Sequence, residues 1–334
     1  MEKTKNLNSI DFCKFILSIG VVAIHTMGRF GFYPFLRIAV PMFFCISSYL
    51  FFRKMNAFSD RVKLKQFIYR NIKLYFFWLG ILIVPTLLLG GWLEGNLVYN
   101  FIKFCFKIVL GSTFPASWYI PALIISITLV YYVSKYISDK LIFCFGLLVY
   151  IFCCLASTYR GILSEDSIAY QMILAYPGTI YNSFPVGILW VCIGKYFASD
   201  RQLIEKRKLY VAEVVSLILL VVEYQVALTR HWIVDNDCML MLVPVCFLLM
   251  SILLNVNVQM GDTIPQIVRN LSTVIYCLHG TIAELLKVTV FKGRQTLVDS
   301  FELFAFTLCI SSLVAFLILW LEKKRGFVWL KYSH

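Results

Sequence analysis

Apolar stretches of about twenty residues, cut apart by clusters of charge, recur from Ile10 to Leu321 and decide what this chain can fold into. Each helical crossing of a bilayer needs about 20 apolar residues. At 60% hydrophobic and only 15% charged, the chain also lies far from soluble domains, which carry about 25% charged residues. The pattern predicts an all-α polytopic membrane protein with about ten transmembrane helices around a central polar cavity, in one domain over 1–334. The expected spans are 9–27, 36–52, 74–92, 118–136, 141–158, 181–198, 209–228, 237–254, 272–291 and 300–321. Segment 97–110, with Lys103 and Lys107 on an apolar background, reads as an amphipathic helix lying in the interface. The first segment has the outline of a signal peptide without its small-residue cleavage site, and is expected to persist as a helix.

A net charge of +13 invites a nucleic-acid partner, but the placement of the charge argues against one. With a cytoplasmic N-terminus, 22 of the 31 basic residues fall on the inner side, including Lys3, Lys5, the seven from Arg53 to Lys73 and the four from Lys323 to Lys331. That asymmetry is the positive-inside rule. It predicts an integral cytoplasmic-membrane protein with both termini in the cytoplasm. Eleven cysteines lie almost entirely within the spans, without a CxxC pair, and read as apolar fillers, with no disulfide or metal expected.

Lys14 and His25 are eleven residues apart in the first span. Eleven helical steps come within about 20° of whole turns, so the two share a face roughly 16 Å apart along the axis. Asp11 and Ser18 join the same stripe. Ionisable groups within a bilayer are costly and usually face a bundle interior or a wet cavity. The plainer alternative is a lysine that snorkels and a histidine that bonds a neighbouring helix.

Other polar residues cluster along single faces. Ser272, Tyr276 and His279 form one stripe of the ninth expected span, which either lines a cavity with His25 or glues helices together. Glu284 and Lys287, three apart, are expected to pair. Glu223 sits near mid-span with no partner along its own helix, and is the acid most expected in a site or pathway. Arg70 and Lys73 share a face that suits phosphate groups or anchors the inner side. Trp118 and Tyr119 open the fourth span where aromatic belts form. Asp235 and Asp237, beside His231, read as a solvated loop or as a place for an acceptor or cation.

These residues resemble the acyltransferase 3 family of polytopic membrane proteins along the whole chain. The family's first-helix signature is a basic residue, ten positions and a histidine, with an aspartate three before the basic residue; Asp11, Lys14 and His25 match, with Lys for the commoner Arg. AVPMFFCISSYLFF resembles its FF-x-x-S-G stretch, Ser47 matching the serine and Ser48 standing in place of glycine. KQFIYRNIKLYFFW resembles its Arg-x-x-Arg, with Lys73 in the second position. SWYIPALIIS is similar to its tryptophan-led helix, and LSTVIYCLH to its S-x-x-I-Y-x-x-H.

The resemblance implies an O-acyltransferase that moves an acyl group, acetyl above all, from cytosolic acyl-CoA to a cell-envelope glycan or small hydroxyl acceptor in a bacterial envelope. His25 would be the general base, and Lys14, about three turns nearer the cytoplasm on the same catalytic stripe, would hold the acyl-CoA pantetheine or phosphates or maintain the stripe through Asp11. Arg70 and Lys73 would hold the CoA phosphates. Asp11, Ser47, Ser48, Trp118, Tyr119, Glu223, Tyr276 and His279 would contact substrate, among membrane lipids. A narrower similarity links LRIAVPMFFCISSY, SWYIPALI and the Glu223–Pro244 stretch to the membrane half of the vancomycin-resistance serine racemases, without the racemase domain. It implies an alternative: a non-enzymatic transporter or binding protein for L-serine or a similar small amino acid.

Overall fold

In the computed structural model, residues 8–28, 32–55, 60–176, 178–199, 206–233, 235, 237–256, 258–261, 263–293 and 296–334 are described. The expected inner cations Lys3 and Lys5 lie outside them. Fourteen α-helices follow one another, with no strand among the described residues. They are α1 (Asn8–Thr26), α2 (Tyr33–Leu36), α3 (Ala39–Arg53), α4 (Asp60–Ile81), α5 (Ile83–Leu89), α6 (Leu97–Leu110) and α7 (Tyr119–Val133). After them come α8 (Asp139–Ala156), α9 (Ile168–Ala175), α10 (Phe184–Ala198), α11 (Lys206–Thr229), α12 (Leu242–Asn255), α13 (Ile264–Thr289) and α14 (Leu297–Leu321).

Six helical segments are long and apolar enough to cross a membrane: α1, α2 with α3, α8, α11, α13 and α14. A seventh is the pair α4 and α5, bent by 66°. Pro85 explains the break, since its ring clashes with the carbonyl of Ile81 four residues back and it offers no amide to continue the helix. Length and composition therefore account for six or seven of the ten expected crossings. The other three fall on α7, α10 and α12, whose 15, 15 and 14 residues reach less than the ~30 Å hydrocarbon thickness at about 1.5 Å per residue.

The centre of the bundle is α10, which packs against α3, α7 and α8. Small residues permit this approach: a Cβ on Gly194 would meet Ser48 Oγ at 1.9 Å, and one on Gly187 would meet Phe44 at 2.6 Å. Ser48 fits there because its hydroxyl turns back on its own helix, donating to Phe44 O at 2.8 Å. Helix α1 lies between α3, α13 and α14. On the periphery, α11 exposes Val211, Val214, Val215 and Ile218, and α14 exposes Leu313, Phe316 and Leu317. Such apolar faces suit a lipid solvent. Helix α6 buries no residue, and Lys103 and Lys107 reach back over the Trp92 ring at 5.9 and 5.1 Å.

Candidate functional site

The polar stripe of α1 ends at a cavity of about 330 Å³. Val21, Ile24 and His25 of α1 line it, with Arg37, Phe44, Trp118, Trp190, Tyr181 and Asn182, and with Asp235 and Asp237 on the loop before α12. His25 is exposed into this space. Beside it stands the fully buried His279 of α13, ring centroids 5.1 Å apart, so two histidines from separate sequence motifs meet. Nδ1 of His279 lies 2.6 Å from the Tyr276 carbonyl, which only accepts, so this nitrogen carries the proton.

Charge of both signs surrounds the mouth. Arg37 pairs with Asp237, reaches Asp235 at 3.6 Å, and donates to the Tyr33 hydroxyl. Both members of the tighter pair are mostly buried, their side chains 13% and 12% exposed. The 112–118 turn closes one wall. Ser117 Oγ accepts from Thr113 N at 3.0 Å, Ser112 Oγ accepts from Trp118 N at 3.2 Å, and Ala116 takes a left-handed φ of 64°. Tyr276 pins the turn to α13, its hydroxyl donating to Ala116 O at 2.6 Å. Gly280 leaves room for that contact, since a Cβ there would come within 2.7 Å of Pro115.

The sequence-expected residues separate into several places. Trp118 and His25 line the cavity. Tyr119 and Tyr276 pack beside it, 5.5 Å apart, and Ser47 Oγ lies 3.0 Å from the Tyr119 hydroxyl, which also donates to Phe43 O. Ser272 turns back to Arg269 O at 2.7 Å, and Glu284 and Lys287 form the expected pair at 2.8 Å.

Lys14 and Asp11 are elsewhere. No residue of α1 before Val21 lines the cavity, so the space does not run the length of the stripe. The charges that act on Lys14 are those of Asp11, Arg70 and Arg269, and Asp11 lies buried 3.6 Å from Arg269. Arg70 is exposed. Lys73 points instead over the rings of Tyr69 and Tyr332, at 4.2 and 4.6 Å. The C-terminal turn Val328–Ser333 packs against α4 here, with the Trp78 indole donating to Ser333 O at 2.9 Å.

Glu223, expected without a partner along its helix, has three partners across space. It accepts from the amides of Leu240 and Met241 at 2.5 and 2.8 Å and from the Tyr159 hydroxyl. It thus anchors the chain leading into α12. Burial, together with the adjacent Glu223 carboxylate, pushes the Tyr159 phenol up, so it remains a donor. The other acid of α11 is Glu213, buried and, among the described residues, without a hydrogen-bond partner for Oε2.

Arg37, Tyr181 and Asn182 escaped the sequence reading. A signal for Arg37 existed: it is one of the nine basic residues that the positive-inside assignment leaves on the outer side, where the rule gives it no use. All eleven cysteines are free thiols, seven of them buried. Among the described residues, no three His, Cys, Asp or Glu side chains gather as a metal site.

The family model described as an acyltransferase domain matches residues 7–320. A protein named amino-acid racemase from Enterococcus faecalis is 28% identical over 272 residues, which is 76% of this chain and 37% of that protein. The chain therefore spans little more than a third of the curated relative it matches. No solved structure matches. The family match runs from the start of α1 to the last turn of α14 and includes both His25 and His279, and the chain belongs to the acyltransferase 3 family of membrane acyltransferases.

Proposed function

We propose that this protein is an O-acyltransferase of the cytoplasmic membrane that carries an acetyl group from cytosolic acetyl-CoA to a hydroxyl-bearing acceptor of the cell envelope. The observation that carries the proposal is His25, exposed in a walled cavity beside His279, within the family's span. Both termini are cytoplasmic, α7, α10 and α12 complete their crossings with flanking turns, and the cavity opens outward. His25 removes the proton of the acceptor hydroxyl, a role suited to an imidazole. The hydroxyl oxygen attacks the thioester carbonyl, the C–S bond breaks, and the proton passes from His25 to the departing sulfur. Lys14, Arg70 and Arg269 face the cytosol as the cationic cluster for the CoA phosphates.

Protein reconstituted in nanodiscs with ¹⁴C-acetyl-CoA tests this reading. Labelled acetate or acetylated acceptor should appear, and His25→Ala should abolish it in protein that still elutes as a folded monomer or oligomer. Failure to bind CoA at all would overturn it.

A second reading takes its support from the charges of the cavity mouth. Arg37 and Asp235 face one space of a size for a small solute, as the carboxylate and ammonium of an amino acid require, and the relative's name refers to amino acids. On that reading the protein binds or moves a small amino acid such as L-serine. Uptake of labelled serine into proteoliposomes would favour it; uptake equal to empty vesicles would remove it.

A further inference from the structure

His279 holds an open acceptor beside the cavity. Its Nδ1 lies 2.6 Å from Tyr276 O and 3.3 Å from Ile275 O. Both are carbonyls of its own helix, which fixes the proton on Nδ1 and leaves a lone pair on Nε2. That Nε2 is buried and, among the described residues, has no hydrogen-bond partner. A buried acceptor left open is costly, and a native structure keeps such an atom where it has a use.

The ring that can fill it is His25. Centroids 5.1 Å apart match two imidazoles meeting nitrogen to nitrogen through a hydrogen bond of about 3 Å. The planes are inclined by 50°, and the χ2 torsion of histidine is broad enough for His25 to turn a nitrogen onto Nε2. The acceptor itself is held still. Tyr276 and Gly280, the neighbours of His279 on α13, clamp the 112–118 turn through the Ala116 carbonyl and the Pro115 contact.

We propose that His279 is a positioning residue for His25: its Nε2 accepts the N–H of one His25 nitrogen, so that the other nitrogen presents its lone pair to the cavity. The proposal rests on the reading of His25 as the base. While His25 carries the proton taken from the acceptor hydroxyl, its second N–H stays bonded to His279, which accepts a hydrogen bond and takes no proton. The proton then leaves with the CoA sulfur, and the pair is restored. This is the task of the third member of a hydrolase triad, done here by a neutral imidazole whose tautomer the helix backbone sets.

The chain has only four histidines, so ¹⁵N-histidine labelling in nanodiscs reads each tautomer directly, with assignments from single His→Gln variants. Wild-type protein should show His279 protonated at Nδ1 and His25 in one dominant tautomer. His279→Leu should leave His25 as a tautomer mixture and lower the turnover of acetyl-CoA about 100-fold, with its KM within twofold. His279→Gln, whose amide oxygen can accept the same bond, should restore the single tautomer and return turnover to within tenfold. The proposal is overturned if His25 keeps its tautomer in His279→Leu, if the loss falls on KM, or if Gln does no better than Leu. If His279→Leu does not fold, His279→Asn takes its place, with an amide too short to reach. Wild-type protein inactive on acetyl-CoA would remove the acyltransfer reading, while the His25 tautomers would still decide whether the histidines act as a pair.

Discussion

At its N-terminal end α1 presents Lys14 among Asp11, Arg70 and Arg269; at its C-terminal end it presents His25 to a cavity beside His279 and Arg37. One polar stripe, from Asp11 to His25, thus meets two different surroundings. At the first end Lys14 and Arg269 answer the buried Asp11 carboxylate, with Arg70 close enough to act on Lys14. At the second, His25 has room around it and the lone pair next to it is empty. Groups already bonded hold a structure, whereas groups left open inside a walled space are available for a substrate. On the proposed function, that contrast would give the chemistry to His25 and the attraction of an anionic donor to Lys14.

The largest effect that can break this comparison is on turnover. His25→Ala should lower the kcat for acetyl-CoA about 10⁴-fold, equivalent to ~5.5 kcal/mol of transition-state stabilisation, with KM little changed. Lys14→Gln should do the opposite, raising KM for acetyl-CoA about tenfold while kcat stays within threefold, because an interaction equal in ground and transition states appears in KM alone. Steady-state kinetics on both variants in the same nanodiscs checks the split. Equal losses of kcat in the two would merge the ends of the helix into one site.

Next in size is the stability of the cavity mouth. Arg37→Met removes the ion-pair partner of the largely buried Asp237 and the donor to Tyr33. Losing one partner of a buried pair costs about 3–5 kcal/mol, so the melting temperature in detergent should fall sharply. Asp11→Asn removes the corresponding charge at the other end, but its partner Arg269 is half exposed and water can take over. That change should cost about 1 kcal/mol or less. A comparable loss at both ends would show that the cavity mouth is no more tightly built than the cationic cluster.

How far the sequence reveals these differences depends on whether periodicity carries the information. Helices, their apolar faces and the face shared by Lys14 and His25 follow from a repeat of 3.6 residues, and the motif around Ser272, Tyr276 and His279 could be read as one stripe. The meeting of His279 with His25 joins α1 to α13 across more than 250 residues, and the polar stripe of α13 leaves it as one of two readings, the other being helix glue. Arg37 could not be placed because its partners Asp235 and Asp237 lie two hundred residues away on a loop. Three of the ten expected crossings fall on α7, α10 and α12, helices shorter than the apolar stretches that contain them, because hydropathy cannot say where a helix stops. The partners of Glu223 are hidden for a related reason: a search along one helix finds none, while the amides of Leu240 and Met241 arrive from the following turn.

Helix α11 repeats the contrast between bonded and open groups on a smaller scale. Glu223→Met removes the acceptor for two amides and for the Tyr159 hydroxyl. With buried donors left unsatisfied, it should cost about 3 kcal/mol. Thermal melting and proteolysis of the 230–241 loop would both report it, since that loop loses its anchor. A melting temperature equal to wild type would mean that water replaces the carboxylate and that the anchor contributes little.

Glu213, ten residues earlier on the same helix, should behave in the opposite way. Its Oε2 is buried and, among the described residues, unbonded, on a helix that packs against α12. Desolvating a carboxyl group without a partner is unfavourable, and replacing such a group by an apolar side chain of similar volume is close to neutral or stabilising. Glu213→Met should therefore shift stability by no more than about 0.5 kcal/mol downward, or raise it, with acetyl-CoA turnover unchanged. A large loss of stability would mean that Glu213 has a partner, such as a bound proton shared with lipid or water. A loss of turnover in stable protein would mean that the open carboxyl of α11, like the open nitrogen of α13, belongs to the working part of the molecule.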